Sequence, residues 1–283
     1  MTVAEHPFDI DTRVRPTGTP GRCEAGFSPR WKALGGVING GYAAAVSLSA
    51  LRAALPHPDP LVVSTFFLRR GRPGPIEVHT EVANRGRRIS TGQARILADG
   101  TEIVRTTASF TDRTGAAGIC AELSAMPDLP PPGECLDPLA DAPMPEVTIT
   151  EQVEFRYPVR PGWFGGSPSS VPHAEFWIAF AGGRDADPMS LPLLVDAAAP
   201  VVLELGVAGS ATVELNTHVR RWPAPGWLAC RVATHHVADG YHEEDFELWD
   251  SRGHLVAQAR QLAAVLRPAP RATESSPQPE ASR

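Results

Sequence analysis

The sequence predicts an α+β fold that occurs twice along the chain, and three observations support this prediction. Each half contains one largely apolar helical stretch. Several runs in which apolar and polar residues alternate follow that stretch, and the same order of segments recurs after about 150 residues. Alternating runs joined by short turns favour an antiparallel sheet whose apolar face packs on the helix. We therefore expect one helix and one antiparallel sheet in each half.

In the first half, a glycine-rich turn, GGVINGG at 35–41, leads into the helical stretch YAAAVSLSALRAAL. Four strand-like runs follow, namely LVVSTFFLRR, IEVHTEV, RISTGQARIL and EIVRTTASFTD. In IEVHTEV, the apolar Ile76, Val78 and Val82 share one face and polar neighbours occupy the other, as expected for a strand with one buried face. The ADG sequence at 98–100 is typical of a hairpin turn.

In the second half, VEFRYPVR and AEFWIAF precede the apolar stretch SLPLLVDAAAPVVLELG, for which we expect a helix. The strand-like runs ATVELNTHVRR, WLACRVATHHV, EEDFELWD and HLVAQARQLAAVL follow it, and Val213, Leu215 and Val219 are expected on one core-facing side. Arg70 and Arg221 end equivalent runs, at a separation of 221 − 70 = 151 residues. A tandem duplication is the simplest interpretation.

Composition excludes several functional classes. The chain has 283 residues, of which 42% are hydrophobic, and its 26 basic against 32 acidic residues give a net charge of −6. This balance is that of a globular protein, and it disfavours a nucleic-acid-binding role. The longest apolar stretches, at 42–55 and 191–206, each contain a charge and fall short of the ~20 residues that span a bilayer. The four cysteines form no CxxC pair and the start of the chain is acidic, so a cytoplasmic location is expected.

Proline and glycine divide the chain into four parts. The densest run, RTGAAGICAELSAMPDLPPPGECLDPLADAPMPEV, predicts a Pro-rich linker at 113–150 between a first half at 1–112 and a second half at 151–267. The final 268–283 has almost no apolar residues and predicts a disordered tail.

Familiar catalytic motifs are missing. There is no GxSxG and no GxxxxGK[ST], which disfavours an α/β serine hydrolase and a phosphate-binding loop. His235, His236, His242, Glu243 and Glu244 could suggest a metal site, but they lie in or beside the predicted hairpin turn VADGY, where polar residues are expected anyway. We therefore expect no metal and no other cofactor.

Asp196 is a polar residue where the pattern requires an apolar one. It lies in LPLLVDAAAPVVLEL with no Lys or Arg within a helical turn, and burying an unpaired ionisable group costs several kcal/mol. One interpretation is an Asp that caps a helix or points to solvent. The other is a carboxylate in an apolar cleft, with its pKa raised towards the working range of a general base.

Gln261 is a second such residue, because in HLVAQARQLAAVL it shares the strand face of Ala257, Ala259 and Ala263. A buried amide needs hydrogen-bond partners. These could be backbone groups at a sheet edge, or a water or substrate carbonyl above the helix. Thr212, by contrast, is an ordinary strand residue when taken alone.

The order and spacing of these segments resemble the double hotdog of the bacterial acyl-CoA thioesterase II family, over roughly 27–112 and 152–267. In the first half the resemblance rests on LGGVINGGY, STFFLRRG and TEIVRTTASF. In the second it rests on Asp196 within the helical stretch, on ATVELNTHVRR, and on ELWDSRGHLVAQARQ with its ending at Arg267; the linker's MPDLPPPG also matches. The resemblance implies a tandem (double) hotdog, in which each half wraps an antiparallel sheet around a long helix.

The resemblance also implies a catalytic Asp on the second helix, a Thr or Ser on the next strand and a Gln on the last strand, which here are Asp196, Thr212 and Gln261. In that mechanism the three side chains hold a water, Asp196 takes its proton, and the water attacks the thioester carbonyl. Backbone N–H groups at a helix N-terminus commonly stabilise the oxyanion in hotdog thioesterases, and Gly40 or Gly41 are the candidates here. The alternative is that GGVINGG is only a tight turn.

The resemblance leaves some points open. Glu214, two residues after Thr212 and expected on its face, is a reserve base. DAAAP is more Ala-rich than expected for the family, and the first-half strand reads VVSTFF where histidines are common, so the acyl chain is not fixed. A hotdog enoyl-CoA hydratase needs an Asp and a His a few residues apart, yet the first histidine after Asp196 is His218. A non-catalytic acyl-binding module is the other alternative.

The partners implied are an acyl-CoA substrate, or an acyl-carrier-protein thioester, in fatty-acid or lipid metabolism. Neither nucleic acid nor a membrane is expected. Because a double hotdog leaves sheet edges and apolar outer faces, a homo-oligomer, a dimer or larger, is expected.

Overall fold

The computed structural model describes residues 5–114, 116, 118–140 and 143–266. Its helices are α1 (Pro7–Asp11), α2 (Gly40–Ala54) and α3 (Leu191–Asp196), with short 3₁₀ helices between strands. Its strands are β1 (Arg15–Pro16), β2 (Arg22–Phe27), β3 (Asp59–Phe67), β4 (Gly74–Arg85), β5 (Ile89–Ala98), β6 (Thr101–Thr111), β7 (Val153–Arg156), β8 (His173–Phe180), β9 (Gly209–Val219), β10 (Leu228–Ala233), β11 (Val237–Ala238), β12 (Tyr241–Trp249) and β13 (Leu255–Leu266). The predicted tail at 268–283, and Arg267, lie outside these residues.

The strands of the described residues form one antiparallel sheet. Their order is β1-β2-β4-β5-β6-β3-β9-β13-β12-β10-β8-β7, and β11 pairs with β12 off this path. The two halves meet where β3 pairs with β9, with Ser64 opposite Asn216. Counted outward from this seam, β3, β6, β5 and β4 correspond to β9, β13, β12 and β10. The strand order of the two halves therefore matches the repeat expected from the sequence.

Helix α2 forms where the sequence predicts it. Asn39 is its N-cap, since its side-chain Oδ1 accepts a hydrogen bond from the Tyr42 N–H at 2.9 Å. Glycine, alanine and serine make up most of the helix, so it is thin enough for its sides to be buried, and it packs on β3, β4, β5 and β6. Leu55 is extended and ends the helix, because the following Pro56 disfavours helical backbone at the residue before it.

The long second helix expected from SLPLLVDAAAPVVLELG is not formed. Instead, α3 has six residues and ends at Asp196, and a 3₁₀ helix at Val201–Leu205 follows after a break. Pro200 provides the physical reason: it has no N–H to donate, and its ring disfavours helical backbone at Ala199. The expectation of one long helix in each half is therefore wrong for the second half, and Asp196 lies at a helix end rather than within a helix.

A bulge in β9 reverses the side-chain alternation near its start. Thr212 pairs with Ala263 and Glu214 pairs with Leu262, so Val213 is an extra residue between them. As a result Thr212 faces inward, whereas Val213 is 38% exposed. The expectation that Val213 shares the core face of this strand is wrong for that reason.

Part of the predicted linker packs on the outer face of the second half. Met126 and Leu129 contact the buried Trp177 and Trp249, and the Trp177 indole N–H donates to the Pro130 carbonyl at 2.7 Å. The segment after Pro127 is thus fixed to the sheet where the structure describes it. Over the described ranges, no helix has the length and apolar character needed to cross a membrane.

Candidate active site

A cavity of about 810 Å³ lies where α2 begins, α3 ends and the seam strands β3 and β9 approach each other. Most of its lining is apolar or aromatic. Four polar side chains of interest line it, namely Asn39, Asp196, Thr212 and Gln261. The three residues expected to form the active site therefore open onto one cavity, together with the backbone of Gly40.

The Asp196 carboxylate is held by the first turn of α2. Its Oδ2 accepts hydrogen bonds from the Gly41 N–H at 2.7 Å and from the Asn39 side-chain amide at 2.9 Å. The same amide donates to the Asp196 backbone carbonyl at 2.8 Å. A helix N-terminus favours a nearby negative charge, so the start of α2 stabilises the ionised carboxylate. Of the two simpler interpretations, the helix cap is correct in part, because Asp196 accepts from a first-turn N–H of α2, whereas a carboxylate pointing to solvent is not observed.

Burial raises the pKa of Asp196 to about 6. Hydrogen bonds from Gly41 and Asn39, and to a smaller extent the nearby Gly40 N–H, act in the opposite direction, because they favour the charged form. Asp196 is half-buried, and it contributes accessible surface to the lining of the cavity. A carboxyl group with a pKa near 6 is ionised at neutral pH and is still basic enough to take a proton from water in a transition state.

The two glycines at the start of α2 allow this close approach. A Cβ on Gly41 would lie 2.5 Å from the Pro192 carbonyl oxygen, and one on Gly40 would lie 2.7 Å from the Phe67 ring. The Gly41 N–H is occupied by Asp196. The Gly40 N–H lies close enough to lower the pKa of Asp196, but only the Gly41 N–H meets the geometry of a hydrogen bond to it.

Thr212 and Gln261 form a hydrogen-bonded pair across β9 and β13. The Thr212 hydroxyl donates to Gln261 Oε1 at 2.7 Å, and the Gln261 amide is almost fully buried. Because of the bulge at Val213, the Thr212 side chain faces the cavity although Leu215, three residues later, also faces inward. The strand pattern alone placed Gln261 on the core face, and this is confirmed.

Behind this pair lies Glu244, a carboxylate that is 0% exposed. Its Oε2 accepts a hydrogen bond from the Gln261 amide, and its Oε1 accepts one from the Val201 N–H at 2.6 Å. Burial raises the pKa of Glu244 to about 8, and the nearby Asp196 charge contributes in the same direction. The chain of hydrogen bonds thus runs from Thr212 through Gln261 to a second buried carboxyl group.

Glu214 is not placed to act as a reserve base. The β9 bulge puts it on the opposite strand face from Thr212, where its carboxylate accepts a hydrogen bond from the Ser64 hydroxyl at 2.8 Å. His218, the first histidine after Asp196, is exposed.

The histidines near the β11–β12 turn are engaged in ordinary structural contacts. The turn contains Asp239 and Gly240 at φ of 52° and 83°, as in a tight hairpin. His242 is buried and contacts the Ser210 hydroxyl at 2.7 Å, and Glu243 accepts from the His235 and His236 N–H groups. Within the described ranges, no group of three or more His, Cys, Asp or Glu side chains is arranged to hold a metal.

The loop at 162–169, which contains three glycines, closes one side of the cavity. Trp163 and Phe164 stack on each other at 3.9 Å between ring centroids, and both line the cavity. The buried carboxylate of Glu204 holds this loop, since it accepts hydrogen bonds from the Ser169 N–H at 2.5 Å and the Trp163 N–H at 3.4 Å. These bonds keep the pKa of Glu204 below its usual value, although burial acts to raise it.

Sequence reasoning did not assign Asn39 or Glu244 to this site, since Glu244 was considered only among possible metal ligands. Asn39 carries the signal of an N-cap, but its contact with a residue 157 positions away has no local signature. Glu244 does carry one: it alternates with Phe246 and Leu248 in β12, which assigns it to the core face.

Comparison with solved structures identifies the class of fold. A Thermobifida fusca protein proposed to be a thioesterase II superimposes with a TM-score of 0.84 at 31% identity, covering 94% of this chain and 99% of that one. A protein of unknown function with a hotdog fold, from Alicyclobacillus acidocaldarius, has a TM-score of 0.81 at 22% identity and covers 94% and 100%. The second likeness concerns the fold alone. The protein has a hotdog fold, with a large antiparallel sheet and few helices.

Sequence comparison then identifies the family. Residues 27–111 match the acyl-CoA thioesterase N-terminal domain, and residues 127–265 match the acyl-CoA thioesterase C-terminal domain. An uncharacterized protein of Mycobacterium tuberculosis is 28% identical over 265 residues, which cover 86% of this chain and 90% of that protein. The chain belongs to the acyl-CoA thioesterase family, and its enzyme class is thioester hydrolase.

Proposed function

We propose that the protein hydrolyses an acyl-CoA thioester to the free acid and CoA, with a water molecule activated by Asp196. The observation that carries this proposal is the pairing of one basic carboxylate with a hydroxyl–amide pair, Thr212 and Gln261, in an otherwise apolar cavity. Such a cavity suits an acyl chain, and the polar groups suit the thioester end.

In the proposed reaction, a water hydrogen-bonded to Thr212, whose hydroxyl is oriented by Gln261, gives a proton to Asp196 as its oxygen attacks the thioester carbonyl. The carbonyl π bond opens, and its electron pair makes the oxyanion of a tetrahedral intermediate. When the carbonyl re-forms, the C–S bond breaks and CoA leaves as a thiolate, which takes up the proton from Asp196. Asp196 is then ionised again, and no covalent enzyme intermediate is required.

The start of α2 is the proposed oxyanion site. Because the Gly41 N–H already donates to Asp196, Gly40 is the better placed of the two glycines to donate to the oxyanion. The positive end of the α2 dipole lies at the same point and would favour the developing charge.

The proposed substrate enters beside Arg69 and Arg70, which line the cavity after the end of β3. Their charge suits the phosphates of CoA or the phosphopantetheine of a carrier protein. The cytoplasmic location, the homo-oligomer and the limits 1–112, 113–150 and 151–267 stay predictions. Exposed apolar side chains on two strands near the seam, Phe66 on β3 and Leu262 on β13, support an oligomer.

Release of free thiol from short, medium, long and aromatic acyl-CoAs, followed with a thiol-reactive dye, tests the activity. We expect release by the wild type and a large loss in Thr212→Val, which keeps the shape of the side chain but removes the hydroxyl. Release from none of these acyl-CoAs, nor from acyl-carrier-protein thioesters, would favour an acyl-binding module.

The route of the reaction is tested with a single turnover in ¹⁸O-labelled water. Direct attack by water places one labelled oxygen in the product acid and leaves the protein mass unchanged throughout the turnover. A protein adduct of the mass of the acyl group, trapped by acid quench, would contradict the proposed route.

A further inference from the structure

The buried Glu244 lies directly behind the water-binding pair of the candidate site, and it faces the cavity only through Gln261. The two oxygens of its carboxylate both accept hydrogen bonds, from the Gln261 amide and from the Val201 N–H. The proposed hydrolysis does not involve this group directly. A buried carboxylate is costly, and the contact through which Glu244 can act on the site is its hydrogen bond with Gln261.

A side-chain amide has one accepting end and one donating end, and only its partners decide which end faces which way. An ionised carboxylate can only accept. Glu244 in that form therefore requires the NH₂ end of Gln261, and the carbonyl end must then face Thr212. This is the observed arrangement, in which the Thr212 hydroxyl donates to Gln261 Oε1.

The direction of the Thr212 hydroxyl matters for a water in the cavity. When Thr212 donates to Gln261, its oxygen lone pairs remain free to accept a hydrogen bond from that water. A water that donates one hydrogen bond to Asp196 and the other to Thr212 keeps both of its own lone pairs free. One of these lone pairs can then attack the thioester carbon.

A protonated Glu244 would reverse the direction of these hydrogen bonds. Its O–H would donate to Gln261 Oε1, the Gln261 NH₂ would turn to donate to Thr212, and the Thr212 hydroxyl would donate into the cavity. The water would then accept from Thr212, which would occupy a lone pair needed for attack.

We infer that Glu244 is a positioning residue: in its ionised form it fixes the orientation of the Gln261 amide and, through it, makes Thr212 a hydrogen-bond acceptor for the attacking water. This inference rests on the proposed function. Around Glu244 lie Asp196 from α3, Glu243 on its own strand, Tyr157 after β7 and Cys230 on β10, and none of these is a cation. Burial disfavours its ionisation, as do the charges of Asp196 and Glu243, so the change of protonation falls near pH 8, within the range of an assay.

The test compares Glu244→Gln with the wild type and with Glu247→Gln. Glu247 is a matched control, because it lies three residues along the same strand and pairs with Arg231. In Glu244→Gln, the introduced amide can accept from the Val201 N–H only with its carbonyl end, so its NH₂ donates to Gln261. This favours the reversed hydrogen bonds, in which the Thr212 hydroxyl donates into the cavity. We expect kcat to fall roughly tenfold to hundredfold, as for a misplaced reactant, while KM changes little.

The pH profile separates this role from a purely structural one. For the wild type and Glu247→Gln, we expect kcat to rise with pH through about 8 as Glu244 ionises, in addition to a rise near 6 from Asp196. Glu244→Gln should keep only the rise near 6. A Glu244→Gln enzyme with the wild-type kcat and the wild-type profile would overturn the inference.

A swapped double variant provides a rescue. In Glu244→Gln with Gln261→Glu, the carboxylate introduced on β13 accepts both from the amide introduced on β12 and from Thr212, so Thr212 again donates away from the cavity. We expect its kcat to exceed that of Glu244→Gln. A double variant that is slower than the single variant argues against control of the hydroxyl direction.

An infrared titration keeps the inference testable without turnover. Wild-type protein should show a protonated-carboxyl C=O band that disappears as the pH passes about 8, and Glu244→Gln should lack it. If no acyl-CoA is hydrolysed but this band behaves as expected, the proposed function fails and the ionisation of Glu244 stands. If turnover occurs but the wild type lacks the band, or Glu244→Gln retains it, the proposed role of Glu244 fails and the proposed function stands.

Discussion

The side-chain amide of Asn39 donates to both the carboxylate and the backbone carbonyl of Asp196, at 2.9 and 2.8 Å. The two residues belong to different halves of the chain. Asn39 also caps α2 with its other end, so one side chain fixes a helix start and a carboxylate together. Only Asn or Gln offers an acceptor and two donors in this way.

Asp196→Asn is expected to lower turnover by roughly 10²–10⁴, the range for loss of a general base, with little change in folding or acyl-CoA binding. Glu214→Gln is the matched control, since Glu214 lies on the opposite face of its strand from Thr212. Steady-state kinetics of both variants check this. Near-normal turnover in Asp196→Asn, or a comparable loss in Glu214→Gln, would show that the base is assigned wrongly.

Asn39→Asp should shift the pH profile without removing the helix cap. The introduced carboxylate can still accept from the Tyr42 N–H, but it places a second negative charge beside Asp196 and removes a hydrogen-bond donor. Both changes raise the pKa of Asp196 above 6, so the acid limb of kcat/KM moves to higher pH. Asn39→Ser, which keeps a capping oxygen and adds no charge, should move it less. An unchanged limb in both variants would contradict the role of Asn39.

Gly41→Ala is expected to destabilise the fold and to slow turnover. Its Cβ would meet the Pro192 carbonyl oxygen at 2.5 Å and Leu193 Cα at 2.7 Å, which are backbone atoms that cannot rotate away. Overpacking of this kind costs about 1–3 kcal/mol in free energy of unfolding. Gly133→Ala is the control, because a Cβ there has no atom within 4 Å. Urea unfolding of both variants measures the difference, and equal stabilities would refute the close approach.

Glu204→Gln should loosen the loop that carries Trp163 and Phe164. The carboxylate accepts from the Ser169 N–H at 2.5 Å, and an amide retains only one accepting oxygen for its several donors. We expect KM to rise for long acyl-CoAs more than for short ones. Glu151→Gln, a change at an exposed carboxylate in the same half, should leave both values unaltered. Equal KM changes for all chain lengths would argue against a contact between the loop and the acyl chain.

Stability should fall as pH rises, in part because of Glu244. Its folded pKa of about 8 lies above its value in the unfolded chain, so between the two values the folded state binds more protons. The contribution is fully present below about pH 4 and is lost as pH rises through about 8. The free energy of unfolding, measured in urea at several pH values, should therefore decline less in Glu244→Gln than in the wild type. Equal declines in the two proteins would show that the pH dependence of stability comes from groups other than Glu244.

The sequence was sufficient to predict α2, the repeated succession of strands in the two halves and the inward face of Gln261, because periodicity and a repeat encode these locally. The break after Asp196 carried a signal in Pro200, although the apolar run suggested a longer helix. The bulge at Val213 could not be predicted, since it depends on pairing with Leu262 and Ala263. The same holds for the donation from Asn39, which depends on two helix ends meeting.

The seam between β3 and β9 has a consequence for how the two copies of the repeat can diverge. One copy contributes the clamp, Asn39 and Gly41, and the other contributes Asp196, Thr212 and Gln261. Once both are joined in one polypeptide, each is free to lose the parts that its counterpart supplies. Neither copy can therefore form this site without the other, because its hydrogen-bond donors and its carboxylate come from different halves of the chain.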